Sequence, residues 1–170
     1  MMKNKNNYHI EIQSIYPFPK RMWLEILSTI LQILEEKRNF SLKNCILNLI
    51  VIKDNDMILY NHEQMNAYGP TNILSFPEEE TKTFYGKQNT YIEKQRNNLG
   101  TLILSSQTLM REAFLYGQKP QEHAIRLLCH GIAHLLGYDH SEEMFELTDF
   151  LELEIAKHKL EYSFIPIWSL

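Results

Sequence analysis

Three of the chain's seven histidines fall within the stretch CHGIAHLLGYDH, residues 129–140. Residues four apart on a helix stand about 40° apart round its axis, one turn above each other. His130 and His134 therefore project from one face and can offer two imidazoles to one ion. Six further residues carry His140 well round the axis, and Gly137 supplies the remedy. A glycine just past a helix end readily takes the left-handed conformation, which stops the helix and turns the chain back. His140 can then close a third position on the same ion. Three neutral imidazoles with one position left open is the pattern of a catalytic zinc site. Two histidines four apart, taken alone, are ordinary solvent-facing decoration. The third histidine, the intervening glycine and the apolar setting of Leu127, Leu128, Ile132, Leu135 and Leu136 favour the metal.

His9, His62, His123 and His158 are isolated, and each reads as a surface or hydrogen-bonding residue. Cys129 points to a different helix face from His130, and Cys45 falls in an apolar strand pattern, so both read as small buried hydrophobes. The spacing His-x3-His-x5-His is also that of metzincin proteases, which carry a glutamate directly after the first histidine as general base. Here that position is Gly131. The site can hold a metal, but it lacks the protease base on the helix.

The rest of the chain must position these groups. At 170 residues it fits one domain, 1–170, with room for a real core. A hydrophobic fraction of 44% and a charged fraction of 22% are ordinary globular composition. The net charge of −4 does not predict nucleic-acid binding by bulk charge, which leaves a local basic patch as the alternative. Two cysteines make no disulfide framework, which suits a reducing cytoplasm. The polar start, MMKNKNNYHIEIQ, lacks the apolar core of a signal peptide, and no segment has the length of a membrane span.

YHIEIQSI alternates as a strand, and Pro17 and Pro19 follow it. From about Lys20 to Lys37, Trp23, Ile26, Leu27, Ile30, Leu31 and Leu34 recur at helical spacing. CILNLIVIKD reads as a buried strand, and Asp54 or Asn55 can cap a short helix towards Ala67. ILSF, ended by Pro77, and LGTLILS (99–105) are further strands, separated by a long polar loop, 78–98. Ser106 can cap a helix through Tyr116, Pro120 opens a helix to Leu136, and Ser141 can cap a last helix to about His158. The apolar tail SFIPIWSL follows. These elements make one α+β domain.

HGIAHLLGYDH resembles the signature HGxLHLxGYDH of the YbeY family of bacterial metal-dependent endoribonucleases, departing at Ala133. PTNILSFP (70–77) is similar to that family's PT(D/N)VLSFP. Asn61 fits its LN element, LGTLILS its LGDIxI, and LELEI around Glu152 its acidic final helix. The resemblance implies a zincin-like α+β fold: a mixed, mainly four-stranded sheet packed with about five helices. It implies one Zn²⁺ per chain on His130, His134 and His140. It also implies cleavage of single-stranded ribosomal RNA, and not DNA, in 3′-end maturation of the small subunit and in ribosome quality control, with the small subunit or its assembly factors as partners. Two departures bear on substrate: Met65 stands where the family has an arginine implicated in activity, and Thr101 where it has an aspartate.

A bound zinc would activate water for attack on a phosphodiester, or polarise the phosphoryl oxygen while the ribose 2′-hydroxyl attacks. Asp139 is the nearest carboxylate, a candidate general base or equally a capping group beside His140. Asn72 and Ser75 are candidate substrate contacts on an edge strand, or simply members of a paired core strand. Lys20, Arg21, Lys82, Lys87, Lys94 and Arg96 can meet phosphates or merely solvate the surface. Two other readings stand beside the nuclease. One is a metzincin-like metalloprotease or amidohydrolase. The other is a non-catalytic, zinc-binding ribosome assembly factor whose site a fourth ligand, such as His62, would close.

Overall fold

The computed structural model describes residues 8–14, 16–78 and 98–158. Strand β1 (His9–Ser14) leads into helix α1 (Lys20–Arg38) and strand β2 (Ile46–Ile52), and helix α2 (Asp54–Met65) precedes strand β3 (Ile73–Pro77). Strand β4 (Asn98–Ser105) is followed by three helices: α3 (Ser106–Leu115), α4 (Pro120–Leu135) and α5 (Glu142–Lys157). The six apolar residues of α1 that recur at helical spacing are all fully buried. Each such side chain contributes roughly 1.5–3 kcal/mol of burial free energy.

The strands form one mixed sheet in the order β1-β2-β4-β3. β1, β2 and β4 are parallel, while β3 runs antiparallel to β4 at the edge. The four-stranded sheet and five helices make the α+β fold that the sequence leads one to expect. Alternation along β2 and β4 divides the apolar residues between two faces. Leu47, Leu49, Val51, Leu102 and Leu104 join the main core with α1, α4 and α5. Ile50, Ile52 and Ile103 pack with Leu74, Phe76 and Met57 of α2 on the other side. Helices α2 and α4 therefore cover opposite faces of the sheet. The pairing of β2 with β4 skips Leu99, and beside that irregularity Gly100 has φ +120°. A Cβ there would stand 2.1 Å from the Phe76 carbonyl oxygen, so only glycine lets β3 approach.

Two helix starts differ from expectation. The N-cap of α2 is Lys53, and Asp54 is its first helical residue. The Asp54 carboxylate reaches across to the start of α3 instead. Its Oδ1 accepts from the Ser105 hydroxyl, from Thr108 N–H (3.1 Å) and from Thr108 Oγ1 (2.8 Å), and its Oδ2 takes Arg111 Nη1 at 3.0 Å. Burial works to raise the Asp54 pKa, but these hydrogen bonds and the Arg111 charge outweigh it and hold the carboxyl below its usual range. The cap of α3 is Ser105 rather than Ser106, whose hydroxyl donates to the Ile52 carbonyl at 2.9 Å. Ser141 caps α5 as expected, accepting from Met144 N–H.

Among the described residues no helix is long and apolar enough to cross a membrane. Lys82, Lys87, Lys94 and Arg96, with the rest of 79–97, lie outside the described residues, as does the tail SFIPIWSL.

Candidate metal centre

Helix α4 opens at Pro120, whose missing N–H costs nothing in a first turn. It closes through the turn at Gly137, where φ is +92°. Gly137 N–H donates to the His134 carbonyl and Tyr138 N–H to the Ala133 carbonyl, each at 3.0 Å. This is the paired Schellman closure, which satisfies two carbonyls at the helix end and reverses the chain. The reversal brings His140 back over the face that carries His130 and His134. The ring centroids stand 4.7, 5.3 and 4.6 Å apart, and one nitrogen from each ring lies within 4.8 Å of the others. Among the described residues these three form the one cluster of histidine, cysteine or acidic side chains with metal-holding geometry.

The donor atoms fit an ion. His134 Nδ1 lies 2.9 Å from the Tyr138 carbonyl, which can only accept, so the ring proton sits on Nδ1 and the Nε2 lone pair faces inward. His134 Nε2 is 3.2 Å from His130 Nε2. Two nitrogens about 2.0–2.1 Å from one tetrahedral ion are about 3.3 Å apart, so this spacing suits a shared metal. Burial first, then the neighbouring His134, His140 and Arg126, press the His130 pKa down to about 4. Burial also lowers that of His134, against the opposing pull of its hydrogen bond to Tyr138. Both rings are thus neutral near pH 7, the form in which imidazole binds a metal.

Gly131 is buried, and a Cβ on it would come within 2.8 Å of both Ile73 Cδ1 and Leu102 Cδ2. Position 131 faces the sheet, so a side chain there could not serve chemistry at the histidines. Ser75 Oγ donates to the Gly131 carbonyl at 3.2 Å, tying β3 to α4. Asn72 Nδ2 donates to Glu112 (3.1 Å to Oε2), and its Oδ1 accepts from Ile73 N–H at 2.7 Å. Asp139 is exposed, and its Oδ1 accepts from His140 N–H at 3.0 Å. His62 lies outside the cluster, its ring centroid 5.9 Å from that of Tyr68. Met65 ends α2 and is 64% exposed, and Thr101 Oγ1 faces Asn48 across the sheet. Both cysteines are buried, and burial raises both thiol pKa values, Cys45 to about 12.

One polar group has no sequence signal of its own. His123 is buried and meets Glu112 Oε2 at 2.9 Å and Gln118 Oε1 at 3.0 Å, so Glu112 bridges α3, α4 and the start of β3. Arg126, four residues before His130, stands on the same side of α4 one turn earlier.

An α+β protein with three histidines able to hold a metal ion at a helix end is the class that fold and site define. The sequence model of the endoribonuclease YbeY family matches residues 8–156, and the chain belongs to that family. Relatives bearing the name endoribonuclease YbeY include one from Oleidesulfovibrio alaskensis, 41% identical over 113 residues, 61% of this chain and 66% of the relative. One from Nitratidesulfovibrio vulgaris is 45% identical over 102 residues, 56% of this chain and 63% of the relative. These two alignments span just under two thirds of the relatives' length. A third, from Prochlorococcus marinus subsp. pastoris, is 29% identical over 166 residues, 91% of this chain and 87% of the relative. The solution structure of TM1509 from Thermotoga maritima matches with a TM-score of 0.59 at 18% identity, covering 88% of this chain and 89% of that one, which supports the fold.

Proposed function

We propose that this chain is a zinc-dependent endoribonuclease specific for single strands. Its role in this reading is 3′-end maturation of small-subunit ribosomal RNA and ribosome quality control in the cytoplasm, with the small subunit or its assembly factors as partners. The observation that carries the reading is the convergence of three histidines at the Gly137 turn in a chain of this family. When bound, the ion supplies Lewis acidity, which lowers the pKa of water and draws charge from a phosphoryl oxygen.

The chain's own residues do the rest. His130, His134 and His140 hold the ion, and the Tyr138 carbonyl keeps the inward nitrogen of His134 unprotonated. Asp139, exposed beside His140, is the candidate to accept a proton, one oxygen being taken by His140 N–H. Asn72 and Ser75 are candidate substrate contacts through the edge strand they stand on. Their side-chain bonds to Glu112 and Gly131 also fix that strand against α3 and α4.

The orientation of position 131 disfavours the protease reading, because the helix has no place for a base there. Among the described residues the set is three histidines without His62, the donor count of a catalytic rather than a structural zinc, which disfavours the assembly-factor reading. Incubating zinc-loaded protein with precursor ribosomal RNA, with and without chelator, and separately with peptide, tests the proposal. Chelator-sensitive cutting of single-stranded RNA and no peptide hydrolysis is the expected result. Metal-dependent peptide hydrolysis, lost in His130→Ala, would replace it.

A further inference from the structure

Arg126 stands on α4 one turn before His130, exposed, on the side of the helix that continues to His130 and His134. A rise of about 1.5 Å per residue separates its Cα from that of His130 by about 6 Å along the axis. A guanidinium on a flexible stem carries five donors in a planar fork that matches the oxygens of a phosphate. Among the described residues this fork takes part in no hydrogen bond and no ion pair. The carboxylate on α5 that feels its charge, Glu152, lies beyond ion-pair distance. An arginine serving to clamp α4 to α5 would close that gap.

Arg126 and Asp139 are both exposed at opposite ends of the cluster, Arg126 one turn before His130 and Asp139 against the backbone N–H of His140. The centre therefore has a cation towards the N-terminal side of α4 and a carboxylate towards the Gly137 turn. An anion approaching the histidines is drawn to the first and repelled by the second.

We propose that Arg126 is a substrate-binding residue of this site, its guanidinium gripping the non-bridging oxygens of a phosphodiester laid along α4 beside the histidines. The proposal rests on the endoribonuclease reading and adds a polarity to it. The phosphate lies towards Arg126, and proton transfer takes place on the Asp139 side.

The test uses the full chain, zinc-loaded, as wild type, Arg126→Gln and Arg126→Lys. A 2′-O-methylated single-stranded RNA, which keeps the phosphates but lacks the 2′-hydroxyl, is titrated by fluorescence anisotropy at several salt concentrations. Zinc content and melting temperature are measured alongside. Losing one charge-assisted contact should weaken binding of Arg126→Gln about tenfold at low salt. The slope of log affinity against log salt should become shallower by about 0.7. Arg126→Lys should keep the slope and recover part of the affinity. Zinc content and melting temperature should not move. Wild-type affinity and slope in Arg126→Gln would overturn the proposal alone, and so would a loss explained by lost zinc or fold. A wild type that binds no RNA would overturn the endoribonuclease reading and this proposal with it.

Discussion

Replacing Gly131 by glutamate restores the residue that His-Glu-x-x-His proteases carry after their first ligand, and asks whether this helix can use it. The structure predicts that it cannot. A Cβ at position 131 would stand 2.8 Å from Ile73 Cδ1 and Leu102 Cδ2 and 3.3 Å from Ser75 Oγ. For alanine, overpacking of roughly 1–3 kcal/mol is offset by about 1 kcal/mol of helix propensity, so Gly131→Ala should cost about 0–2 kcal/mol. Glutamate adds a carboxylate aimed into the seam between α4 and the sheet, where the contacts are two aliphatic methyls and a hydroxyl. An uncompensated buried charge costs about 3–5 kcal/mol, so Gly131→Glu should lose about 4 kcal/mol or more. That is a large part of the roughly 5–15 kcal/mol by which a domain is stable. Because Ser75 ties β3 to the carbonyl of this same residue, displacing α4 should also loosen the histidines. The assay is urea unfolding of the metal-free protein, with zinc content and peptide hydrolysis on the same preparations. A Gly131→Glu protein as stable as wild type and able to cut peptides when zinc-loaded would show that position 131 can reach the histidines after all.

The remaining predictions concern single groups. His134→Ala should lose most of the bound zinc, whereas His158→Ala, at the far end of α5, should keep it; elemental analysis of the two distinguishes them. His130 holds its proton only below about pH 4 when folded, against about 6.5 in the unfolded chain. The unfolded chain therefore protonates first, and the metal-free protein should lose stability as pH falls from about 6.5 to about 4, with nothing further lost through this group below that. Since the ring is half-exposed, screening holds the effect to about 1–2 kcal/mol, and His130→Gln should flatten the profile of urea midpoints across that window. Glu112→Ala removes the acceptor shared by His123 and Asn72 and should cost about 1–3 kcal/mol in denaturant unfolding, with zinc content unchanged.

What the sequence makes legible here is local. The helical period places His130 above His134, and the conformational freedom of Gly137 returns His140, because both effects act within a dozen residues. Six of the eight buried positions of α1 follow from the same period. Contacts made at a distance are not legible in this way. The Asp54 carboxylate bonds to the first turn of a helix that begins some fifty residues later, because β2 and β4 are neighbours and their ends coincide. Lys53 and Ser105 then take the cap positions that Asp54 and Ser106 could have filled. The role of Gly131 depends on Ile73 and Leu102 lying side by side under α4, which the order and direction of β3 and β4 decide. Glu112 joins His123 and Asn72 only once α3, α4 and β3 are packed, and no spacing in the chain announces it.

The Gly137 turn brings three imidazoles within reach of one ion, and whether they share it can be measured. X-ray absorption at the zinc edge, on protein loaded to saturation and checked by elemental analysis, tests it most directly. One zinc per chain is expected, with three imidazole nitrogens at about 2.0–2.1 Å and a lighter-atom fourth ligand from solvent, falling to two imidazoles or to no bound zinc in His140→Ala. Sulfur in the coordination sphere, or a spectrum unchanged in His140→Ala, would contradict it.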